Sequence, residues 1–187
     1  MWPWGHLAVG YALYSLGVRA RFRRAPDMWN ALACGLGTQF PDLIDKPFAW
    51  WIPILPGGRT LGHSLLFAVP LVALLALVAW RYGGGARVLA FGFGYLTHLA
   101  GDIVEPLLYG SAYELTFLLW PVTPTVIYES EPSVIWHLQN ISLTSVFLIE
   151  LGLGVLVGLL WLFDVRAMLS RRAWVFGRGK RGRPEQP

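Results

Sequence analysis

The stretch GYLTHLAGDIVEPL, Gly94–Leu107, has an apolar run upstream and is itself mostly small or apolar, yet it carries a histidine and an aspartate four residues apart. Helical spacing puts His98 and Asp102 on one face, one turn apart, and brings Tyr95 and Glu105 to that face at helical steps. Facing lipid, such groups are costly, so this face must meet protein or a wet cavity.

The rest of the chain establishes that lipid is the solvent. Of 187 residues 55% are hydrophobic and only 14% charged, ten are tryptophan, and the mean hydropathy is +0.50. A soluble domain of this size cannot hide so much apolar surface. The useful unit is therefore the apolar span of about 20 residues that a bilayer core demands. Five candidates emerge: Ser142 to Phe163, Ser64 to Trp80, Ala86 to Leu108, and two shorter ones, His6 to Val18 and Met28 to Phe40. The short pair also suits interfacial or re-entrant segments, because 13 helical residues cover only about 20 Å. The expected fold is an all-α polytopic membrane bundle. Residues 1–165 form one membrane-embedded domain and residues 166–187 a basic cytoplasmic tail. No internal repeat or domain linker is evident.

Basic residues orient the spans. Arg19, Arg21, Arg23 and Arg24 lie between spans one and two, Arg81 and Arg87 between three and four, and a third cluster from Arg166 to Arg183 follows span five. Placed together in the cytoplasm, the three clusters let five spans alternate, with the N-terminus outside and the C-terminus inside. The expected location is a prokaryotic cytoplasmic (inner) membrane. The start, MWPWGH, lacks the basic n-region of a signal peptide. The net charge of +4 needs no nucleic-acid partner, since no aromatic-basic interleaving accompanies it; the tail GRGKRGRPEQP suits a topogenic segment near anionic lipid. The single cysteine, Cys34, excludes an intrachain disulfide and a CxxC metal site.

Counting about 1.5 Å per helical residue upward from the cytoplasmic end of each span places the polar residues by height. His6 lies roughly 20 Å up, Asp42 roughly 22 Å, His63 roughly 27 Å, and His98 and Asp102 roughly 16 and 22 Å. These residues, from four spans, share one layer in the outer half of the membrane. Histidine nitrogen and carboxylate oxygen suit zinc or a similar divalent ion. Blander readings stand beside this. His98 and Asp102 also suit a hydrogen-bonded pair that fixes helix packing; His6 suits an amphipathic helix end; Asp42 and Asp45, after Pro41, suit a turn or a helix cap, with Asp45 paired to Lys46; Ser64 suits a cap beside His63. Glu150, roughly 24 Å above Arg166, reaches the same height and is a further candidate, as is Glu105. His137, Glu129 and Glu131 fall in the external segment Tyr109 to Asn140 and read as solvated surface. Gly154-x-x-x-Gly158 suggests close helix packing. Tryptophans near the span ends suit an interfacial belt.

His6, GTQFPDLID (Gly37 to Asp45), RTLGHSL (Arg59 to Leu65), GYLTHLAGD (Gly94 to Asp102) and LLWP (Leu118 to Pro121), taken in order, resemble the YdjM-type, LexA-regulated family of prokaryotic inner-membrane proteins, also described as membrane-bound metal-dependent hydrolases. The resemblance covers about Met1 to Pro121. Through the PD and H-x-x-x-D elements it is similar in turn to zinc-dependent phospholipases C and P1-type nucleases. It implies that His6, Asp42, His63, His98 and Asp102 are the metal ligands. Gly58 and Gly62 stand where the family often has histidine and threonine.

The reading that follows is a hydrolase acting on a phosphate ester or another lipid-borne ester or amide, with zinc as the expected ion, membrane lipid as solvent and possible substrate, and Asp45 as a free carboxylate that takes a proton from water. A metal-ion or proton transporter would continue its polar groups toward the cytoplasmic side, where this sequence shows almost none. A non-catalytic scaffold with a structural metal would keep a closed coordination shell.

Overall fold

Helix ends follow local rules throughout. Helix α1, Pro3–Phe22, begins on a proline in its first turn, where no amide partner is lost, and ends at Arg23 in the left-handed conformation. Asp27 caps α2, Met28–Trp50, by accepting the Trp29 amide. Ser64 does the same for α3, Leu65–Tyr82, through the Leu66 amide. Helix α4 covers Gly85–Leu108, a 3-10 helix covers Ala112–Leu119, and α5 covers Ser145–Gly179. The computed structural model describes residues 1–126, 139 and 143–179, and among the described residues there is no strand.

Three expected boundaries move. The short spans one and two become helices of 20 and 23 residues, about 30 and 34 Å long. Helix α2 runs through Pro41 and Pro47, so the turn expected after Pro41 is absent. Proline removes a backbone hydrogen bond there, but close packing against α4 holds the helix together. Helix α5 does not stop at Arg166 and carries the start of the expected tail as helix.

Helix α3 and the Ser145–Leu169 part of α5 are long and apolar enough to cross a membrane. Their outward faces carry exposed leucines and valines, among them Leu74, Leu77, Val155 and Leu159, as lipid contact requires. Helices α1, α2 and α4 are of spanning length but more polar, because they carry the residues of the candidate site.

The packing that positions the site is that of α2 on α4. A Cβ at Gly37 would overlap the Phe91 carbonyl oxygen, and one at Gly94 would overlap the Cys34 carbonyl oxygen, so glycine at both positions lets the two backbones touch. One turn beyond Gly94 stands His98, and beside Gly37 stands Thr38. Phe91, Tyr95, Leu99 and Ala68 form an apolar cluster joining α3 to α4, while Ala8, Tyr11, Ala31, Val157 and Met168 join α1 to α2 and α5. The close packing expected at Gly154 and Gly158 is not found among the described residues: a Cβ at Gly158 would meet nothing within 4 Å, and one at Gly154 only Trp4 at 3.9 Å. Tight approach needs a second backbone facing the glycines, and none of the described residues brings one to this point of α5.

Candidate metal centre

His98 and Asp102 project from one face of α4, as their spacing dictates, and both are buried. Helix α2 brings Asp42 to the same place. His63 arrives from the loop before α3 rather than from the helix itself, and His6 arrives from the first turns of α1. The structure thus brings together all five side chains proposed as ligands.

The geometry is tight. His63 Nε2 lies 3.1 Å from His98 Nε2, 3.2 Å from Asp102 Oδ2 and 3.5 Å from Asp42 Oδ1. His98 Nε2 lies 3.3 Å from Asp102 Oδ2 and 3.9 Å from Asp42 Oδ1. Ligands about 2.1 Å from a tetrahedral ion stand about 3.4 Å from one another. His63, His98, Asp42 and Asp102 approach that spacing, and their donor set fits zinc. His6 stacks on His98 with ring centroids 3.9 Å apart, and its Nε2 is 3.6 Å from Asp102 Oδ1. Its buried Nδ1 has no hydrogen-bond partner among the described residues.

The backs of the two central histidines decide what their fronts offer. His98 Nδ1 is 2.6 Å from the Thr38 carbonyl oxygen, which can only accept, so Nδ1 carries the proton. His63 Nδ1 is 2.8 Å from Asp45 Oδ2 and likewise donates. In the neutral rings both Nε2 atoms are then bare lone pairs, directed at each other and at two carboxylate oxygens. In that state four acceptors converge without a donor and repel one another, and either a proton on one ring or a metal cation relieves the repulsion.

Asp45 is not the free carboxylate expected of a proton acceptor. It is fully buried, and its oxygens accept the amide hydrogens of Thr60 at 2.7 Å, Gly62 at 2.7 Å and His63 at 3.2 Å besides the His63 ring. Nor is it a solvated partner of Lys46, which pairs instead with Asp42 at 2.5 Å. Asp45 ties the loop to α2 and aims His63. Gly62 belongs to this tie: a Cβ there would stand 2.7 Å from the Pro41 carbonyl oxygen.

Glu150 does not join the cluster. Its Oε2 accepts the Trp2 amide at 3.0 Å and anchors the start of α1 to α5. Glu105 follows Asp102 on α4, but its side chain lies outside the described part of the structure, as do His137, Glu129 and Glu131. Sequence reading missed what four residues contribute, although it named Asp45 as a proton acceptor and Arg59 within a motif. Thr38 and Asp45 set the histidine tautomers, and Arg59 and Lys46 each hold the second oxygen of a ligand carboxylate. Only the spacing of Lys46, four residues after Asp42 on a helix, was a readable signal.

The expected scarcity of polar groups toward the cytoplasmic end is also corrected. Asp164, fully buried on α5, accepts hydrogen bonds from Tyr11 at 2.8 Å and Ser15 at 2.6 Å and pairs with Arg19. The steps from Tyr11 to Ser15 to Arg19 are each one helical turn, a ladder visible in the sequence. It went unread because the fifth span was ended at Phe163.

Among known families, the model for the YdjM inner membrane protein matches residues 1–177. No curated protein and no solved structure matches the chain.

Proposed function

Because the chain belongs to the YdjM inner membrane protein family, we propose that its His and Asp cluster holds a divalent ion, zinc by donor set, in a hydrolytic centre near the outer face of the membrane. The observation that supports this reading is the convergence of the Nε2 atoms of two histidines, whose Nδ1 atoms are engaged from behind, with two carboxylate oxygens. Five crossings, with the N-terminus outside, put the centre on the outer side, since the arginine clusters all fall at the opposite ends of the helices.

When bound, a divalent ion supplies water activation at neutral pH and polarisation of the scissile group. The chain's own residues do the rest. Thr38 and Asp45 keep the Nε2 atoms of His98 and His63 turned inward, while Asp42 and Asp102 bring negative charge to the same point. Asp45 is a positioning residue in this arrangement, its oxygens being occupied by amide hydrogens. A substrate reaching a site at this depth is a membrane lipid, carrying a phosphate ester or another ester or amide.

A second reading has one observation in its favour. A doubly protonated His63 could donate from Nε2 to His98, 3.1 Å away, or to Asp102, 3.2 Å away, and hold the cluster together as a non-catalytic scaffold. Metal analysis of the purified full-length protein separates the two. The hydrolase reading expects zinc in the wild type, its loss in His98→Ala, and zinc-dependent hydrolysis of a lipid or phosphate ester. A wild type free of metal at every preparation returns the centre to the scaffold.

A further inference from the structure

The exposed edge of the centre is not neutral. His6, His63, His98 and Asp102 are at most 3% exposed, whereas the Lys46 and Arg59 side chains are 27% and 32% exposed. Each cation meets one ligand carboxylate. Lys46 Nζ lies 2.5 Å from Asp42 Oδ2, and Arg59 Nη2 lies 3.2 Å from Asp102 Oδ1. In both carboxylates it is the other oxygen that approaches His63 and His98. The two cations therefore stand behind the ligands, on the side open to the surroundings.

Resting on the metal-centre reading above, we propose that Lys46 and Arg59 form a cationic clamp that takes the anionic oxygens of a phosphate group, so that the site selects a phosphate ester over a neutral ester or amide. Two cations near a divalent ion repel it, and an anion arriving beside them relieves that repulsion. A neutral ester offers no such relief. Guanidinium and ammonium groups are multidentate donors, and a partly exposed position lets them engage an incoming anion without the full cost of burial. A lipid headgroup and a free phosphate ester offer the cations the same anionic oxygens.

The test uses the full-length protein in dodecylmaltoside, loaded with zinc and titrated calorimetrically with inorganic phosphate, with short-chain phosphatidic acid and with short-chain diacylglycerol, metal content being read on the same samples. Wild type should bind both phosphate ligands and not diacylglycerol. Lys46→Met and Arg59→Gln, each compared with wild type at matched zinc content after loading, should weaken phosphate binding about tenfold or more. Lys46→Arg and Arg59→Lys, which keep the charge, should retain affinity within a few-fold and control for misfolding. Tighter binding of phosphatidic acid than of inorganic phosphate assigns the clamp to a lipid headgroup, and equal binding assigns it to a free phosphate ester. Unchanged phosphate affinity in both neutral variants, with zinc retained, overturns the clamp alone. Loss of zinc in those variants also overturns it, leaving the cations as orienting groups. A wild type that takes up no zinc overturns the metal centre and the clamp with it.

Discussion

Two buried polar clusters occupy this membrane protein, and they are built in opposite senses. At the α1–α5 contact a single carboxylate, Asp164, receives two hydroxyl hydrogens and a guanidinium, from Tyr11, Ser15 and Arg19. At the α2–α4 contact two imidazole Nε2 atoms and two carboxylate oxygens crowd together, while Lys46 and Arg59 meet the other oxygens of those carboxylates. In the first cluster the single carboxylate is matched by a guanidinium and two hydroxyls, although the buried Arg19 Nε has no hydrogen-bond partner among the described residues. In the second, the neutral imidazoles would leave surplus acceptors, which a proton on His63 or the proposed metal ion would balance. Burial alone is therefore a poor guide to function in a bilayer, and the donor-to-acceptor ratio is a better one.

The contrast can be broken most sharply at His98. His98→Ala removes a proposed ligand, and zinc affinity should fall by more than the roughly 100-fold that marks the upper end for outer-shell partners; inductively coupled plasma analysis of purified protein reads this directly. Asp164→Asn, by contrast, should leave the zinc content at the wild-type level. If Asp164→Asn empties the protein while His98→Ala remains loaded, the assignment of the two clusters is reversed.

Asp45→Asn should act on metal before it acts on turnover. Loss of the charge that aims His63 should weaken zinc about 10- to 100-fold, measured by competition with a chromogenic chelator. A proton-accepting role would show the other pattern, full metal content with turnover reduced on the order of 100-fold.

Stability sharpens the same comparison at smaller magnitude. Replacing Asp164 by alanine removes three interhelical contacts and should cost about 2 kcal/mol, since such contacts average about 0.6 kcal/mol each in a membrane protein. Thermal unfolding in detergent checks this. Added zinc should raise the Tm of wild type and of Asp164→Ala alike and leave that of His98→Ala unmoved, because an ion stabilises only the state that binds it.

Composition and arginine placement were enough to establish a helical membrane protein, because the bilayer leaves a chain this apolar few alternatives and because topogenic charge is local in sequence. The meeting of His6, Asp42, His63, His98 and Asp102 was legible too. Residues at equal height on neighbouring helices are brought close by a rise per residue that the backbone fixes. What height does not specify is direction around each helix axis. Only tertiary packing decided that Glu150, at the same height, turns to the start of α1, and that Asp45 faces the backbone amides of its own loop instead of water. The continuation of α2 through two prolines had the same origin, since its support comes from α4, far away in sequence. Periodicity along one helix is a covalent property of the chain. The rotation of one helix against another is set by which small residues let backbones touch, and here those residues are Gly37 and Gly94.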